Sequence, residues 1–478
     1  MKGGKAMRRK RGSVIALVLA VQALFWFAAV PPSRALVESN DGNVSFKGYV
    51  ETNNLFRTKN FDEQPDWIQN RNTFQLEYRV NLGNRWFFDK VMLTGTSRAW
   101  ADGAYSRLGK AEAPPNHDKE GIERESDLFR EINLSGKAGN LWFNLGRQQI
   151  VWGKADFFRL TDIINPMDFS RHFFFEDFED LRIPKWMGNF IYSLGNVGPL
   201  TDLNVEFVVN PGDFKPTNIG IFPMPWALAP PGFDTLPQDL PDRWNHSSFE
   251  FGERVEFSAA GIWWALSHFN GFQQSPVLDF QTFHLVYPRE NTFGLAFDYA
   301  NEPTGIVLRT EATYVPNKTM GIDSSRPQGL ALLAKYPNGM PQKDEVKYVI
   351  GLDRPTWIKF LNPHQTFFLS AQVFMTHVLN HEDGIADDGA PIKSKDPVVT
   401  GVVNTQYLHG RLTPQVFAAY KIYGDGLIVG GSLDYQYSNH LGFKVGANSI
   451  SGRPNSPYAG FGGFSDRDEF FARVRYSF

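Results

Sequence analysis

The chain closes on Asp468-Glu469-Phe470-Phe471-Ala472-Arg473-Val474-Arg475-Tyr476-Ser477-Phe478. Its two parities differ in kind. Phe470, Ala472, Val474, Tyr476 and Phe478 fall on one face of an extended strand; Phe471, Arg473, Arg475 and Ser477 fall on the other. One face is apolar and ends in aromatics, and the other is mostly basic or polar. A half-exposed edge strand of a soluble sheet could carry such a pattern. A strand of a membrane barrel requires it, because its outer face meets lipid and its inner face meets water or other polar groups. The terminal Phe478, with Tyr476 two residues before it, is similar to the carboxy-terminal assembly signal of bacterial outer-membrane barrels.

The rest of the chain points the same way. Lys2, Lys5, Arg8, Arg9, Lys10 and Arg11 precede an apolar run, Val14 to Val30, broken only by Gln22. Ser33-Arg34-Ala35 then supplies small residues for cleavage, so residues 1–35 read as a secretory signal peptide and 36–478 as the exported protein. The competing reading is an uncleaved anchor. The leading segment holds seven Lys and Arg and no Asp or Glu, which takes the net charge from −3 to −10 for the exported part. That balance gives no reason to expect nucleic-acid binding. Without Cys there is no lipidated anchor, disulfide, thiolate metal site or covalent haem. After the signal no stretch approaches the ~18 uninterrupted apolar residues of a membrane helix.

Alternation recurs along the chain. Phe74, Leu76, Tyr78, Val80 and Leu82 oppose Thr73, Gln75, Glu77, Arg79 and Asn81. A sandwich core rarely takes so charged a row, whereas a barrel lumen does. Long and short connections also alternate, as they do when short periplasmic turns face one way and long outer loops the other. The expected fold is all-β: a transmembrane antiparallel up-and-down barrel of about 18 strands, with 16 and 20 as neighbouring even counts. That count requires reading Leu278–Ala300 as one long strand, although Pro288 is awkward inside a ladder.

Two loops carry the functional signal. In Trp152–Trp186, Trp152 reads as a residue at the membrane interface, and Asn165-Pro166 as a turn. Phe173, Phe174, Phe175 and Phe178 then mix with Arg171, Glu176, Asp177, Glu179, Asp180 and Arg182. Such a segment cannot lie in lipid. It either caps the barrel or folds into the lumen, and its Phe residues, which need burial, favour the lumen. Candidate lumen or constriction residues are Glu77, Arg79, Arg147, Trp152, Asp156, Arg159, Asp162, Asp168, Phe173, Phe174, Phe175, Glu176, Asp177, Arg182, Arg473 and Arg475. Arg79, Arg147, Arg473 and Arg475 are the expected wall partners of the loop carboxylates. The second loop holds Ile219 to Phe233, apolar and rich in Pro. It reads as a contact surface for a greasy ligand, for lipid or for the barrel's own mouth, or as a segment packed on a neighbouring loop.

Gly146-Arg147-Gln148-Gln149-Ile150-Val151-Trp152-Gly153, followed by Asn165-Pro166-Met167-Asp168, resembles the signature of a proteobacterial outer-membrane, porin-like β-barrel family described only as a domain of unknown function. Gly252-Glu253-Arg254-Val255 and Asn404 to Pro414 add weaker likeness. The resemblance implies a porin-like role, with some members encoded beside predicted exporters of lipids or hydrophobic compounds, and no catalytic residues.

No Gly-x-Ser-x-Gly or His-Glu-x-x-His motif occurs, and no cofactor or metal site is read. The expected function is an outer-membrane channel for hydrophobic or amphipathic small molecules or lipids, narrowed by the Trp152–Trp186 loop. The alternatives are a general diffusion porin and a barrel that scaffolds periplasmic partners. Expected partners are outer-membrane lipid, lipopolysaccharide and the barrel-assembly machinery.

Overall fold

A computed structural model describes residues 37–478 apart from 40–41, 62–64, 86–87, 107–123, 173–174, 223, 230–231, 455–457 and 459. The expected signal segment 1–35 lies outside the described residues, as do Phe173 and Phe174.

Alternating apolar and polar side chains produce long antiparallel strands. They are β1 (Val44–Thr58), β2 (Asp66–Arg85), β3 (Phe88–Asp102), β4 (Arg124–Ala138), β5 (Leu141–Gln148) and β6 (Lys185–Val197). Next come β7 (Leu200–Asn210), β8 (Glu250–Ala259), β9 (Ile262–Phe272), β10 (Arg289–Asn301), β11 (Ile306–Thr319) and β12 (Gln342–Thr356). The last six are β13 (Phe367–Val378), β14 (Lys395–Asn404), β15 (Leu412–Lys421), β16 (Gly426–Gln436), β17 (Leu441–Ser451) and β18 (Asp468–Ser477). Each pairs with the next, and β18 returns to pair with β1, so the 18 strands close into a barrel. A two-residue piece, Val37–Glu38, adds to β1 beyond the end of β18.

The seam runs from Tyr49 opposite Ser477 to Thr58 opposite Asp468. Gly48 and Phe478 extend it by exchanging two hydrogen bonds of 2.9 Å. Gly48 has to be a glycine: a Cβ there would come within 2.2 Å of the Gln75 carbonyl oxygen and 3.1 Å of the Phe478 ring. That ring also stacks on Phe74, with centroids 6.3 Å apart.

The barrel is built inside out relative to a soluble protein. Phe74, Leu266, Ile350, Val429, Val445 and Phe470 are exposed, while Glu51, Gln75, Glu206, Glu311, Gln372 and Glu469 are buried. Apolar residues outside and charges inside reverse the usual preference, and the arrangement is stable only where lipid covers the outer face. No described helix is long and apolar enough to cross a membrane; the strands do the crossing.

The strand count agrees with expectation, but one element does not. Leu278–Ala300 is not a single strand. Val277–Asp279 and His284–Val286 form a small hairpin outside the barrel, joined in parallel by Gln238–Asp239. The barrel strand starts only at Arg289, because Pro288 cannot donate to a ladder. Its carbonyl instead accepts from Gln273 N at 2.8 Å, closing the loop's neck. Pro316, within β11, sits at the register shift between Val315 and Lys318, where a proline is tolerated.

An arginine placed on the lipid face should cost about 2–4 kcal/mol near the bilayer centre. Val429→Arg is therefore expected to destabilise the folded barrel by about that amount, and Ser432→Arg, facing the lumen on the same strand, by much less. Urea titration of both variants in lipid vesicles checks this.

Candidate functional site

The segment 149–184 leaves β5, enters the lumen and returns to β6. Its neck is tied by one side chain. Asn165 is fully buried. Its Oδ1 accepts from Ile150 N at 2.8 Å, and its Nδ2 donates to Gln148 O at 3.1 Å and Ile183 O at 2.9 Å. Ile183 N in turn donates to Pro166 O at 2.8 Å. The Asn165-Pro166 turn is thus a buckle that holds both ends of the segment together and throws out two lobes.

The first lobe, residues 151–164, reaches the wall formed by β10 to β15. Glu311 of β11 accepts from Thr161 Oγ1 at 2.8 Å and from the backbone N–H groups of Thr161 and Lys154. Lys154 Nζ pairs with Asp298 at 2.8 Å, and Asp156 accepts from Gln372 at 2.7 Å. Phe157 meets Phe417 at 5.5 Å between centroids, and Phe158 meets Phe374 at 5.1 Å.

The second lobe, residues 166–183, reaches β2, β3, β4 and β18. Glu176 accepts from Arg71 at 2.8 Å, and Asp180 from Arg98 at 2.5 Å. Arg130 donates to the backbone carbonyls of Glu179, Asp180 and Arg182. His172 lies between Glu176 at 3.3 Å and Glu469 at 3.0 Å, and Asn448 donates to Glu469 at 2.6 Å. Burial opposes an imidazolium at His172, but Glu469 and Glu176 outweigh it and raise its pKa to about 9. His172 is therefore charged at neutral pH.

Within the segment, Asp162 is buried between Arg159 at 3.1 Å and Arg182 at 2.6 Å. Asp168 accepts from Ser170 N at 3.0 Å and shapes a turn. Asp168–Phe169 pairs in parallel with Asn218–Ile219, and Gly220 pairs onward with Ala227. This small sheet draws the Pro-rich loop inward. Trp226 is buried against His172, Phe175 and Phe464 at 5.3, 6.2 and 5.9 Å. Phe461 stacks on Phe158 at 6.2 Å. The result is an aromatic cluster from three loops and the barrel wall.

Several sequence-based assignments change. Trp152 does not mark a membrane interface. It is buried among Ile150, Ile164, Met187, Val208 and Phe269, and its indole N–H donates to Glu206 at 3.1 Å. Of the four expected wall partners, only Arg473 approaches a loop carboxylate, Asp177 at 3.8 Å. Arg475 pairs with Glu51 of its own wall at 2.6 Å, and Arg147 with Asp127 at 2.9 Å. Arg79 is exposed at the short-turn end of β2, where the neighbouring Glu77 pairs with Lys47 at 3.0 Å. Much of the loop's polar anchoring falls instead to Arg71, Arg98, Arg130, Glu311 and Glu469. Arg71 shares the inward parity of Thr73 and Gln75, a signal present in the sequence, but nothing there tells which inward arginine stands at the loop's depth. The Ile219–Phe233 stretch divides: Ile221, Met224, Trp226 and Ala229 pack inside, while Phe222 and Leu228 stay exposed. Among the described residues no group of three His, Cys, Asp or Glu is placed to hold a metal ion.

Asn165→Ala removes the three side-chain ties at the neck while leaving the Ile183–Pro166 backbone bond and the strands intact. It is expected to keep a folded barrel, seen as heat-modifiable gel mobility, and to make Arg159 and Arg171 cleavable by trypsin. The pH dependence of the same cleavage tests His172. A folded-state pKa raised above its ordinary value adds stability that is complete below pH ~6.5 and is lost as pH rises through the folded value. Cleavage should therefore accelerate as pH passes about 9, and His172→Asn should remove that step.

A family model described as "Protein of unknown function (DUF1302)" matches residues 16–478. No curated protein matches the chain. Among solved structures, OccK9 (OpdG) of Pseudomonas aeruginosa is similar at 11% identity, with 91% of this chain and 98% of that chain covered and a TM-score of 0.51. OpdK of the same organism, solved with vanillate, is similar at 10% identity, 91% and 98% coverage and a TM-score of 0.51. OccAB1 of Acinetobacter baumannii is similar at 8% identity, 94% and 99% coverage and a TM-score of 0.50. At these identities the likeness is one of fold.

Proposed function

The chain belongs to the family described as protein of unknown function (DUF1302), and we propose that it is a selective outer-membrane channel for small amphipathic molecules. One observation carries this reading. Segment 149–184 crosses the lumen and is held on separate walls, by Glu311 on β11 and by Glu469 on β18. An 18-stranded barrel without such a segment would enclose an open aqueous passage. With it, a solute must move past aromatic rings and charged side chains that stand close together. Phe157, Phe158, Phe175 and Phe417 lie within the same lumen as Arg71, Arg98 and Asp298. A solute with an apolar body and a polar head meets partners for both, and a hydrated sugar or bare ion meets partners for one. Selectivity would arise from the lining alone, without a chemical step.

The exposed apolar band fits contact with lipid and lipopolysaccharide. Tyr476 and Phe478, at the seam, suit recognition by the barrel-assembly machinery before closure.

Single-channel conductance tests the reading. The intact protein should conduct weakly, and a variant with Ala155–Pro184 replaced by a short Gly-Ser linker should conduct severalfold more. Equal and large conductance from both would mean a general diffusion porin. Silence from both would point to a scaffold.

A further inference from the structure

The connection between β12 and β13, residues 357–366, is the longest at the short-turn end of the barrel. It does not hang free below the rim. Phe367 lies opposite Thr356, on the face that carries Ile350, Leu352 and Val373. Those three are exposed, yet Phe367 keeps only 8% of its surface. The clasp on this side is Asn362, which is buried. Its Nδ2 donates to Thr405 Oγ1 at 3.0 Å and to Gln406 O at 2.8 Å, and its Oδ1 accepts from the backbone N–H groups of His364 and Gln365. Tyr407 Oη donates to Leu361 O at 3.3 Å. Thr405 stands two residues past Val403, which pairs with Leu369 on the same lipid-side face and is exposed. The connection is therefore a hook folded back over the outside of the rim.

Its free surface is apolar. Trp357 and Leu361 are exposed, and Phe360 keeps 87% of its surface. Leu408 and Tyr437, exposed on the next two connections of the same rim, continue it. An apolar patch of this kind marks a contact surface, and here it runs on from the lipid-facing band of β12 to β14. Its charge is one-sided as well. Lys359 and His364 on the hook, Arg354 near the end of β12 and Arg411 on the next connection are exposed. Connections 357–366, 405–411 and 437–440 contain no Asp or Glu. Asp89, Asp202 and Glu302 stand exposed at other turns of the rim, so the acid-free arc is local. Trp and Lys at the edge of an apolar band suit the headgroup level of a bilayer. Binding there adds buried apolar area to the pull of cations on anionic headgroups.

We propose that this hook binds anionic phospholipid in the leaflet at the short-turn end, which is the periplasmic leaflet of an outer membrane. Trp357, Phe360 and Leu361 enter the acyl region, and Lys359 and Arg354 meet the phosphate. The apolar surface continues the lipid-facing band, and the acid-free arc complements the charge of the lipid. The site goes beyond the channel reading and needs only a barrel set in a bilayer.

Two measurements test it, and neither needs an open channel. The chain has no Cys, so a single Phe360→Cys variant carries one environment-sensitive fluorophore. In vesicles of phosphatidylcholine and phosphatidylglycerol that label should emit to the blue of the same label on Glu302→Cys, and spin-labelled lipid should quench it. Native mass spectrometry of the folded barrel with equal amounts of the two lipids should show phosphatidylglycerol retained. Lys359→Gln and Arg354→Gln should each lower that preference about fivefold, the scale of one cation at an anionic surface. Lys47→Gln, at the same end but on the lumen parity of Glu51, should leave it unchanged. Heat-modifiable gel mobility verifies that each variant is folded. A label at position 360 as water-exposed as the one at 302 would overturn the site and assign the hook to a protein partner. Equal retention of the two lipids, or a preference that neither substitution lowers, would overturn it as well, and a barrel that still conducts would keep the channel. Lipid preference in a barrel that never conducts would sink the channel and leave the hook standing.

Discussion

The hydrocarbon core of a bilayer offers backbone N–H and C=O groups no water, and each one left unpaired there costs several kcal/mol. Every strand must therefore find two neighbours, and the first must find the last. The reciprocal bonds between Gly48 and Phe478, and the register from Tyr49 to Thr58, meet that demand. Once the ring is closed, the rest follows. Alternate side chains are committed to lipid or to the lumen, and so many charged residues are sent inward that the interior must organise them.

Segment 149–184 is how the interior does so, and two kinds of interaction divide the work. Buried ion pairs such as Arg71–Glu176 and His172–Glu469 recover through Coulomb attraction roughly what their desolvation removes, so they add little net stability. They do make any other position of the lobe expensive, since a separated partner would be left buried and unpaired. The net stabilisation comes from the rings, Phe157, Phe158, Phe175, Trp226 and Phe461, which leave water together. The rings hold the segment inside the barrel, and the charges decide where inside it sits. The buckle at Asn165 makes the two lobes one unit, so what loosens one end loosens both.

Much of the fold was legible in the residues. The parity of Phe470, Phe74 and Val429 against Arg473, Gln75 and Ser432 is a local property, and the faces it predicts are those observed. The strand number agrees with the expectation although one boundary does not. The alternation of loops favours Leu278–Ala300 as one strand, whereas an outer hairpin and Pro288 preserve that alternation instead. The total survived because hairpin alternation constrains the count more tightly than it constrains any single boundary. The inward position of the Trp152–Trp186 loop agrees with the expectation drawn from its aromatic residues, of which Phe175 packs in the lumen cluster. The partners did not follow: Arg147 and Arg475 have the right parity, yet each is taken by a carboxylate on its own wall.

The division has a physical reason. Which face a side chain takes depends on neighbours one and two residues away, so the sequence by itself determined a cysteine-free barrel with apolar outer faces and charged inner ones. Which charges meet across the lumen depends on strand register, on the depth of each strand and on the path of a loop whose ends are tied by a single asparagine. These are sums over residues far apart in the chain. His172 with Glu469, and Thr161 with Glu311, are separated by 297 and 150 positions, and only the closed ring brings them within hydrogen-bond distance.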